Sequence, residues 1–423
     1  LHIIFFLCPE YLALQKQISL FEASQPMRIV LFAGKGGVGK TSIAAASGVA
    51  CARKGLKTLV MSIDAAHSLV DSFDLEKTLM DRNKGKPFRV AKNLSIQEVD
   101  VQEEIKKNWD EVHKYISSLL NISGIDEILA EELAILPGME EVSSLLYINR
   151  YVAQKRYDVI LLDCAPTGES IRFISIPTSL EWYMKKIFDV ERKVVKVARP
   201  ITKRLYGVPL PEDEYFATIQ RLFDRLQGID RVLSDPNITT VRLITNPEKI
   251  ILKETQRAYM YFSLYRMCVD AIVINRILPK GADNGYFALW KETQERYIKK
   301  TEQLFNPIPI LKVPMLSNQV VGLGELSKLA SKIYGKSSPE QILYADTPYT
   351  FRKVGKDYFL DIKIPFLTKE EVELSKRNEE LTVRVGGFKR QVLLPRSIAA
   401  RDPSGAKVEQ DKVVIKFGGN HGS

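Results

Sequence analysis

Cysteine is scarce in this 423-residue chain: there are four, Cys8, Cys51, Cys164 and Cys268, far apart and with no C-x-x-C pair. That spacing excludes a C-x-x-C zinc clasp and offers no disulfide framework, so a zinc-free cytoplasmic protein is expected. No apolar run approaches the roughly 20 residues needed to cross a bilayer. The apolar start, Leu1–Cys8, is short and lacks a basic stretch before it, so it does not read as a signal peptide. A compact basic–aromatic patch and a nucleic-acid motif are both missing. The formal net charge of +10 is spread along the chain and reads as a solvated basic surface, with no nucleic acid as partner. Methionine is absent from the first position and appears as Met27, just before the first strand pattern. Residues 1–26 therefore read as an upstream extension or a gene-model artefact, with no function assigned. What remains, 45% hydrophobic and 26% charged, is globular composition, enough for one large α/β domain and a smaller module.

The most informative stretch present is GKGGVGKTS, residues 34–42. Gly34, Gly39, Lys40 and Thr41 satisfy G-x-x-x-x-G-K-[ST]. Before it, Arg28–Phe32 is apolar and β-prone; after it, Ser42–Ala46 is alanine-rich and helix-prone. Strand, glycine loop and helix form the context this motif needs. Glycines let successive backbone N–H groups converge on phosphate oxygens, and the helix adds its positive dipole end at the same point. Lys40 would reach the β- and γ-phosphates of ATP, and the Thr41 hydroxyl would ligate Mg2+.

From Met27 apolar strands alternate with amphipathic helices, which predicts an α/β P-loop NTPase with a mostly parallel sheet covered on both faces. Strands are expected at Leu56–Ile63, Tyr157–Leu162, Val241–Thr245, Ala271–Ile274 and Leu311–Val313. Their carboxyl ends carry Asp64, Asp163, Asn246 and Asn275, which predicts one shared site there. Helical inserts are expected at about 100–150 and 175–235. In the first, EELAILPGMEEVSSLLYI (131–148) packs a core or lines a client groove. The domain covers 27–335; Gly335–Pro339 begins a linker (336–344). Beyond about 345, Tyr358, Leu360, Ile362 and Ile364 alternate with polar neighbours, as do Leu381, Val383 and Val385. Gly386-Gly387 marks a turn into Phe388–Leu394, and Val413, Ile415 and Phe417 close the series. Period-two alternation predicts a small antiparallel β-sandwich over 345–418, with 419–423 as a tail.

Phosphoryl transfer needs a metal, positioned donors and a group that orients water. Asp64 opens DAAHS after the second strand and is assigned water positioning, with a further role in holding metal-bound water. Asp163, expected behind Thr41, is assigned magnesium support. The loop Asp163–Gly168 suits a γ-phosphate-sensing switch; an ordinary strand-to-helix turn is the alternative. His67 reads as a hydrogen-bonded switch histidine rather than a general base.

These motifs together resemble the arsenite-pump (ArsA-type) and tail-anchored-protein-targeting ATPase family: GKGGVGKTS, DAAHSL (64–69), EELAILPGMEE (131–141), YDVILLDCAPTGESIR (157–172), NPEKIILKETQR (246–257) and VINR (273–276). The resemblance covers roughly 27–335. It implies that Gly36, Gly37, Val38, Gly39, Lys40, Thr41 and Ser42 form the phosphate loop. Lys35 matches the extra lysine of the deviant P-loop class (MinD, ParA, nitrogenase iron protein), which reaches across a homodimer to the partner's nucleotide. Asp64 matches a first-switch aspartate implicated in hydrolysis, Asp163–Gly168 the second switch, Asn275 the residue that reads adenine, and Pro314 the same pocket. Pro247–Lys249 matches a loop near the nucleotide and dimer interface. The family's first switch usually has proline where this chain has Ala65, which implies altered loop stiffness with the chemistry intact. The segment 345–418, with VRVGGFKRQVLLP and VEQDKVVIKF, resembles the α-crystallin-like domain of small heat-shock proteins, without the I-x-I tail that links their oligomers.

The expected activity is ATP hydrolysis coupled to opening and closing of a homodimer that handles a hydrophobic client or a membrane partner such as a transporter. An arsenite-pump ATPase is the alternative, although that branch has two P-loop halves and a cysteine trio that this chain lacks. A MinD/ParA-like positioning ATPase is the reading from another class; it lacks support from a terminal amphipathic helix. A non-enzymatic chaperone would require a vestigial P-loop.

Overall fold

The computed structural model describes residues 27–64, 68–76, 83–122, 138–205, 210–279, 281, 285, 287–346, 349–363, 372–378, 380–385, 388–394, 396–409 and 412–418. Residues 1–26, Ala65–His67, 123–137, Ile364, Gly386-Gly387 and 419–423, on which expectations were placed, lie outside them.

Strand β1 (Arg28–Ala33) is buried along its whole length and runs through the glycine loop into helix α1 (Lys40–Arg53). Strand β2 (Thr58–Ser62), the short helix α2 (Leu69–Ser72), β3 (Phe88–Ala91) and β4 (Leu94–Glu98) follow. The first insert holds α3 (Val101–Glu104), a π turn (Ile105–Trp109), α4 (Asp110–Ile122) and α5 (Met139–Ala153). After β5 (Val159–Asp163) comes the second insert: α6 (Thr167–Tyr183), a π turn (Met184–Phe188), α7 (Asp189–Leu205), α8 (Asp213–Leu226) and α9 (Ile229–Ser234). Strand β6 (Thr239–Thr245), α10 (Lys249–Leu264), β7 (Val269–Ile277), α11 (Phe287–Phe305), β8 (Ile310–Pro314) and α12 (Gly322–Tyr334) complete this part.

The sheet has eight strands in the order β3-β4-β2-β5-β1-β6-β7-β8, parallel except for β3, which pairs antiparallel with β4. The α/β class expected from the pattern is the one the chain adopts. Along β1 successive side chains point to opposite faces. Ile29 and Leu31 enter a core with Leu145, Ile148 and Leu222 from the inserts. Val30 and Phe32 enter the other core with Ala44, Ala45 and Ala46 of α1 and Leu326 and Leu329 of α12. Alanines keep α1 thin, so it can lie close to the sheet. The pair β3–β4 escaped the periodicity reading because both strands are short and β3 is a half-buried edge.

The amino edge of the sheet carries buried charge. Arg242 and Asp270 are both fully buried and paired at 3.2 Å across β6 and β7. Arg242 also donates to the Tyr334 hydroxyl (3.1 Å) and the Gln341 carbonyl (2.9 Å). Tyr334 in turn shares a 2.6 Å hydrogen bond with Ser47 of α1. Arg28 donates to the Glu340 carbonyl at 2.9 Å, and the Leu343 N–H donates to Asp270 at 3.4 Å. The stretch read as a linker is therefore strapped against the sheet at Glu340, Gln341 and Leu343.

Strands β9 (Tyr349–Val354), β10 (Asp357–Lys363), β11 (Val372–Arg377), β12 (Glu380–Val385), β13 (Phe388–Leu393), the short helix α13 (Arg396–Ala399), β14 (Pro403–Glu409) and β15 (Lys412–Phe417) form the C-terminal part. They make antiparallel sheets β14-β15-β10-β9 and β11-β12-β13. Leu360, Ile362, Leu381, Val383, Val413, Ile415 and Phe417 meet between them, as the alternation required. Met260 of α10 joins that core, so α10 touches both parts of the molecule.

Candidate nucleotide site

The order of strands decides where the site lies. β1 sits between β5 and β6, with Phe32 in register with Asp163, so the glycine loop leaves the sheet beside Asp163. Two glycines are required by geometry. A Cβ on Gly34 would lie 2.3 Å from the Ile244 carbonyl oxygen of β6. Gly39 caps α1 at φ 96°, and a Cβ there would lie 2.4 Å from the Asn275 amide nitrogen. Both contacts are closer than real Cβ atoms tolerate, and φ 96° is itself strained for any side-chain-bearing residue. Helix α1 has no acidic residue in its first turn, so its positive end is unopposed.

A cavity of about 600 Å³ opens at this edge, within the size range of small-ligand sites. Gly36, Gly37, Gly39, Lys40, Thr41 and Ser42 form its floor, and Asp64 and Pro166 stand on its wall. Asn275, Arg276 and Pro314, at the ends of β7 and β8, form the opposite side. Of the residues assigned from sequence, Gly34, Lys35, Val38 and Asp163 are not on the wall. Gly34 is packed under β6, Val38 is fully buried in the core, and Lys35 pairs with Glu254 of α10 at 3.6 Å. Asn246 directly follows β6 but is also off the wall; its Oδ1 is buried and has no hydrogen-bond partner among the described residues.

The Lys40 side chain is buried, and its ammonium donates to the Lys35 carbonyl at 3.4 Å. The Thr41 hydroxyl lies 3.1 Å from that of Ser68. Asn275 donates to the Val38 carbonyl at 2.8 Å, spending one N–H on the loop and leaving its second N–H and its Oδ1 for a ligand.

Asp163 is fully buried, yet neither carboxylate oxygen has a hydrogen-bond partner among the described residues. Burial pushes its pKa up to about 7; Thr41 and Lys40 pull it down and Asp64 pushes it further up. The Thr41 hydroxyl is near enough to act on the carboxylate without closing a hydrogen bond to it. An unsatisfied buried carboxylate is costly, and a hydrated cation held at Thr41, whose hydroxyl already acts on Asp163, would satisfy it. The Thr167 hydroxyl, at the start of α6 directly after Pro166, is also buried and has no partner among the described residues.

Sequence reasoning missed two elements of this site. Met315–Val321, running from β8 into α12, supplies Met315, Leu316, Asn318, Gln319, Val320 and Val321 to the wall beside Asn275. The rule that ligands sit beyond strand carboxyl ends could have flagged it. Glu98, last in β4, accepts the N–H groups of Leu69 (3.0 Å) and Val70 (3.2 Å), fixing the chain that carries Ser68. No local motif marks Glu98, since its partners come from a different loop.

The described cysteines do not gather. Cys51 lies in α1, Cys164 after β5 and Cys268 before β7; all are free and buried. Burial raises all three thiols, Cys51 to about 12 and Cys268 to about 11, so each stays protonated. Among the described residues no group of three or more His, Cys, Asp or Glu side chains could hold a metal ion by itself.

The model of the anion-transporting ATPase family matches residues 27–335, and that of the HSP20-like domain found in ArsA matches 355–417. A putative arsenical pump-driving ATPase 1 of Aquifex aeolicus is 47% identical over 393 residues, covering 92% of this chain and 99% of the relative. A putative arsenical pump-driving ATPase of Chlorobaculum tepidum is 36% identical over 394 residues, covering 92% and 96%. An ATPase ASNA1 homolog of Entamoeba dispar is 28% identical over 320 residues, covering 74% and 95%. With the phosphate loop, the nucleotide-sized cavity and both domain matches in place, the chain belongs to the ArsA family of anion-transporting ATPases and is an ATP hydrolase that carries the HSP20-like domain of that family.

Proposed function

We propose that this ATPase uses Mg2+ and works as a cytoplasmic homodimer whose opening and closing serves a hydrophobic client or a membrane partner. The observation that carries the magnesium reading is the orphaned Asp163 carboxylate beneath Thr41. Thr41 would hold the ion directly and Asp163 would hold its water. Bound there, the ion would neutralise charge between the β- and γ-phosphates. Lys40 would swing from the Lys35 carbonyl to the phosphates. Asp64, on the cavity wall, would orient the attacking water. Thr167 and Pro166 would sense the γ-phosphate. Asn275, Pro314 and the Met315–Val321 stretch would hold the base.

Lys35 supports the dimer reading. It is a loop residue whose side chain stays off the cavity wall and, among the described residues, is held by a half-exposed pair with Glu254. In that position it is available to a neighbour's triphosphate. We assign 27–335 to the ATPase unit with inserts near 100–150 and 175–235, 336–344 to the strap, and 345–418 to the sandwich.

Support for a hydrophobic or membrane-directed task comes from exposed apolar side chains on the second insert, Trp182, Ile187, Val190, Val194 and Val197. No described helix is long and apolar enough to cross a membrane, so any membrane contact by these residues would be peripheral. The arsenical-pump reading draws on the names of the bacterial relatives. Three buried, scattered and protonated thiols weigh against direct metalloid activation.

The test is Mg2+-ATP turnover by the purified chain and by Asp64→Asn. Turnover should fall by about a hundredfold or more with nucleotide binding retained. Wild-type turnover in that variant would remove Asp64 from its role. Turnover stimulated by arsenite and lost on cysteine replacement would instead favour the pump. A chain that stays monomeric with a non-hydrolysable analogue would end the dimer reading.

A further inference from the structure

Helix α7 has three sides of different chemistry. Phe188, just before it, is buried, and Glu191, Val195 and Ala198 are half-buried on the side facing the protein. Val190, Val194 and Val197, at helical spacings of four and three, are 61%, 60% and 71% exposed. Single exposed apolar residues are ordinary; a row of them on one helix is not. Beside that row, on the remaining side, stand Arg192, Lys193 and Lys196, all exposed. None of these three pairs with an acid among the described residues. Of the two acids in this stretch, Glu191 is turned inward, where it accepts from Tyr183 at 2.6 Å; Asp189 alone is exposed, and it shares the basic side, leaving that side with three cations to one acid. Trp182 and Ile187 are exposed in the turns just before it.

We propose that α7 lies flat on an anionic phospholipid surface. The valine row enters the boundary between headgroups and acyl chains, while Arg192, Lys193 and Lys196 stay at the phosphates. An apolar row flanked by cations on a strongly amphipathic helix is the pattern of interfacial helices. Charge decides between occupants. An apolar peptide segment laid on the valines would leave three cations beside it without partners, whereas anionic headgroups match the valines and the cations together. A nucleic acid would match the cations and leave the valines wet. At 17 residues and about 1.5 Å per residue, α7 is long enough for an extended contact. This rests on the membrane-directed half of the reading above and does not require ATP hydrolysis.

The test is co-sedimentation of the full chain with vesicles of phosphatidylcholine alone or mixed with phosphatidylglycerol. The chain should sediment only with the mixed vesicles, and less at raised salt. Each basic residue near such a surface is worth roughly fivefold in partitioning, so Lys193→Glu with Lys196→Glu should lower binding by at least about twentyfold. Val190→Asp with Val194→Asp should lower it by about tenfold or more. All four positions are exposed, so melting midpoint and magnesium-ATPase rate should match wild type in both variants. Equal sedimentation with both vesicle types, none with either, or binding indifferent to both variants would overturn the proposal. So would capture of an isolated apolar helical peptide in vesicle-free buffer, abolished by the valine variant, by a chain that ignores the mixed vesicles. A wild-type chain that binds mixed vesicles but fails to hydrolyse ATP would sink the catalytic reading and leave this one standing.

Discussion

The two edges of the central sheet treat buried charge in opposite ways. At the amino edge Asp270 is met by Arg242, by the Thr240 hydroxyl at 3.0 Å and by the Leu343 N–H. Burial works to lower the Arg242 guanidinium, and Asp270 overrides it and raises it instead. At the carboxyl edge Asp163, Thr167 and Asn246 hold buried polar atoms that close no hydrogen bond among the described residues. A protein interior rarely tolerates such atoms without a use for them. The amino edge is built for stability, and the carboxyl edge is held ready for a ligand. The comparison yields opposite expectations for two aspartates that are equally buried.

Asp270→Ala should show the largest effect. It leaves the Arg242 charge buried and uncompensated, which costs about 3–5 kcal/mol. The denaturation midpoint should collapse, and the strap at Glu340–Leu343 should become protease-sensitive. Asp163→Asn should do the reverse: turnover falls by at least about a hundredfold, with stability unchanged or raised. The pH dependence sharpens this. The folded carboxyl keeps its proton up to about pH 7, and the unfolded one releases it near 3.8. The folded state thus binds more protons in that window, so this group's contribution makes stability fall as pH rises through it. Asp163→Asn should remove that share of the decline, as read from chemical denaturation at a series of pH values. If Asp163→Asn destabilises as much as Asp270→Ala, the two edges are not different in kind.

The edges also differed in how much of them the sequence disclosed. The phosphate loop, Asp64, Asp163 and Asn275 were legible because each follows a strand whose apolar run is local and unmistakable. A carboxylate at a strand end points to a shared site by topology alone. The Arg242–Asp270 pair was not legible, because each charge sits inside a strand and its partner lies on another. The segment 336–344 looked like a linker from Gly, Ser and Pro content, while its anchors, Arg28 and Arg242, lie far away in sequence. The sandwich was legible from period-two alternation in β10, β12, β13 and β15. Its strands β9, β11 and β14 carried no sustained alternation: the described side chains of β9 are all exposed, and β14 is largely polar.

Glu98 tests whether the carboxyl edge depends on support from outside the motif. It fixes the chain after the first switch by accepting two N–H groups, and Ser68 there touches Thr41. Glu98→Ala leaves two amides without their acceptor, each worth about 1–3 kcal/mol if kept from water. It should cut kcat by about tenfold with smaller change in KM. Glu98→Gln keeps an acceptor oxygen and should restore most of the rate. Equal loss in both variants would mean the charge of Glu98, rather than its acceptor geometry, is what matters.

The smallest effect is expected at Glu254, and it bears on the dimer. Its pair with Lys35 is 3.6 Å long, with both side chains more than a third exposed. Such pairs contribute about 0–1 kcal/mol, so Glu254→Gln should barely move the melting midpoint and should change turnover less than twofold. Lys35→Ala removes the same pair but also the cation assigned to the neighbouring nucleotide. If that assignment holds, turnover falls far more than in Glu254→Gln, although the intramolecular loss is identical. The deficit should be made good in part, to about a quarter of wild-type turnover in an equal mixture, by mixing Lys35→Ala with a chain that retains Lys35 but carries Lys40→Ala, since half the dimers are then hybrids and each hybrid has one site of two with an intact Lys40 facing an intact Lys35. Equal, small losses in Lys35→Ala and Glu254→Gln, with no recovery on mixing, would reduce Lys35 to the surface partner of Glu254.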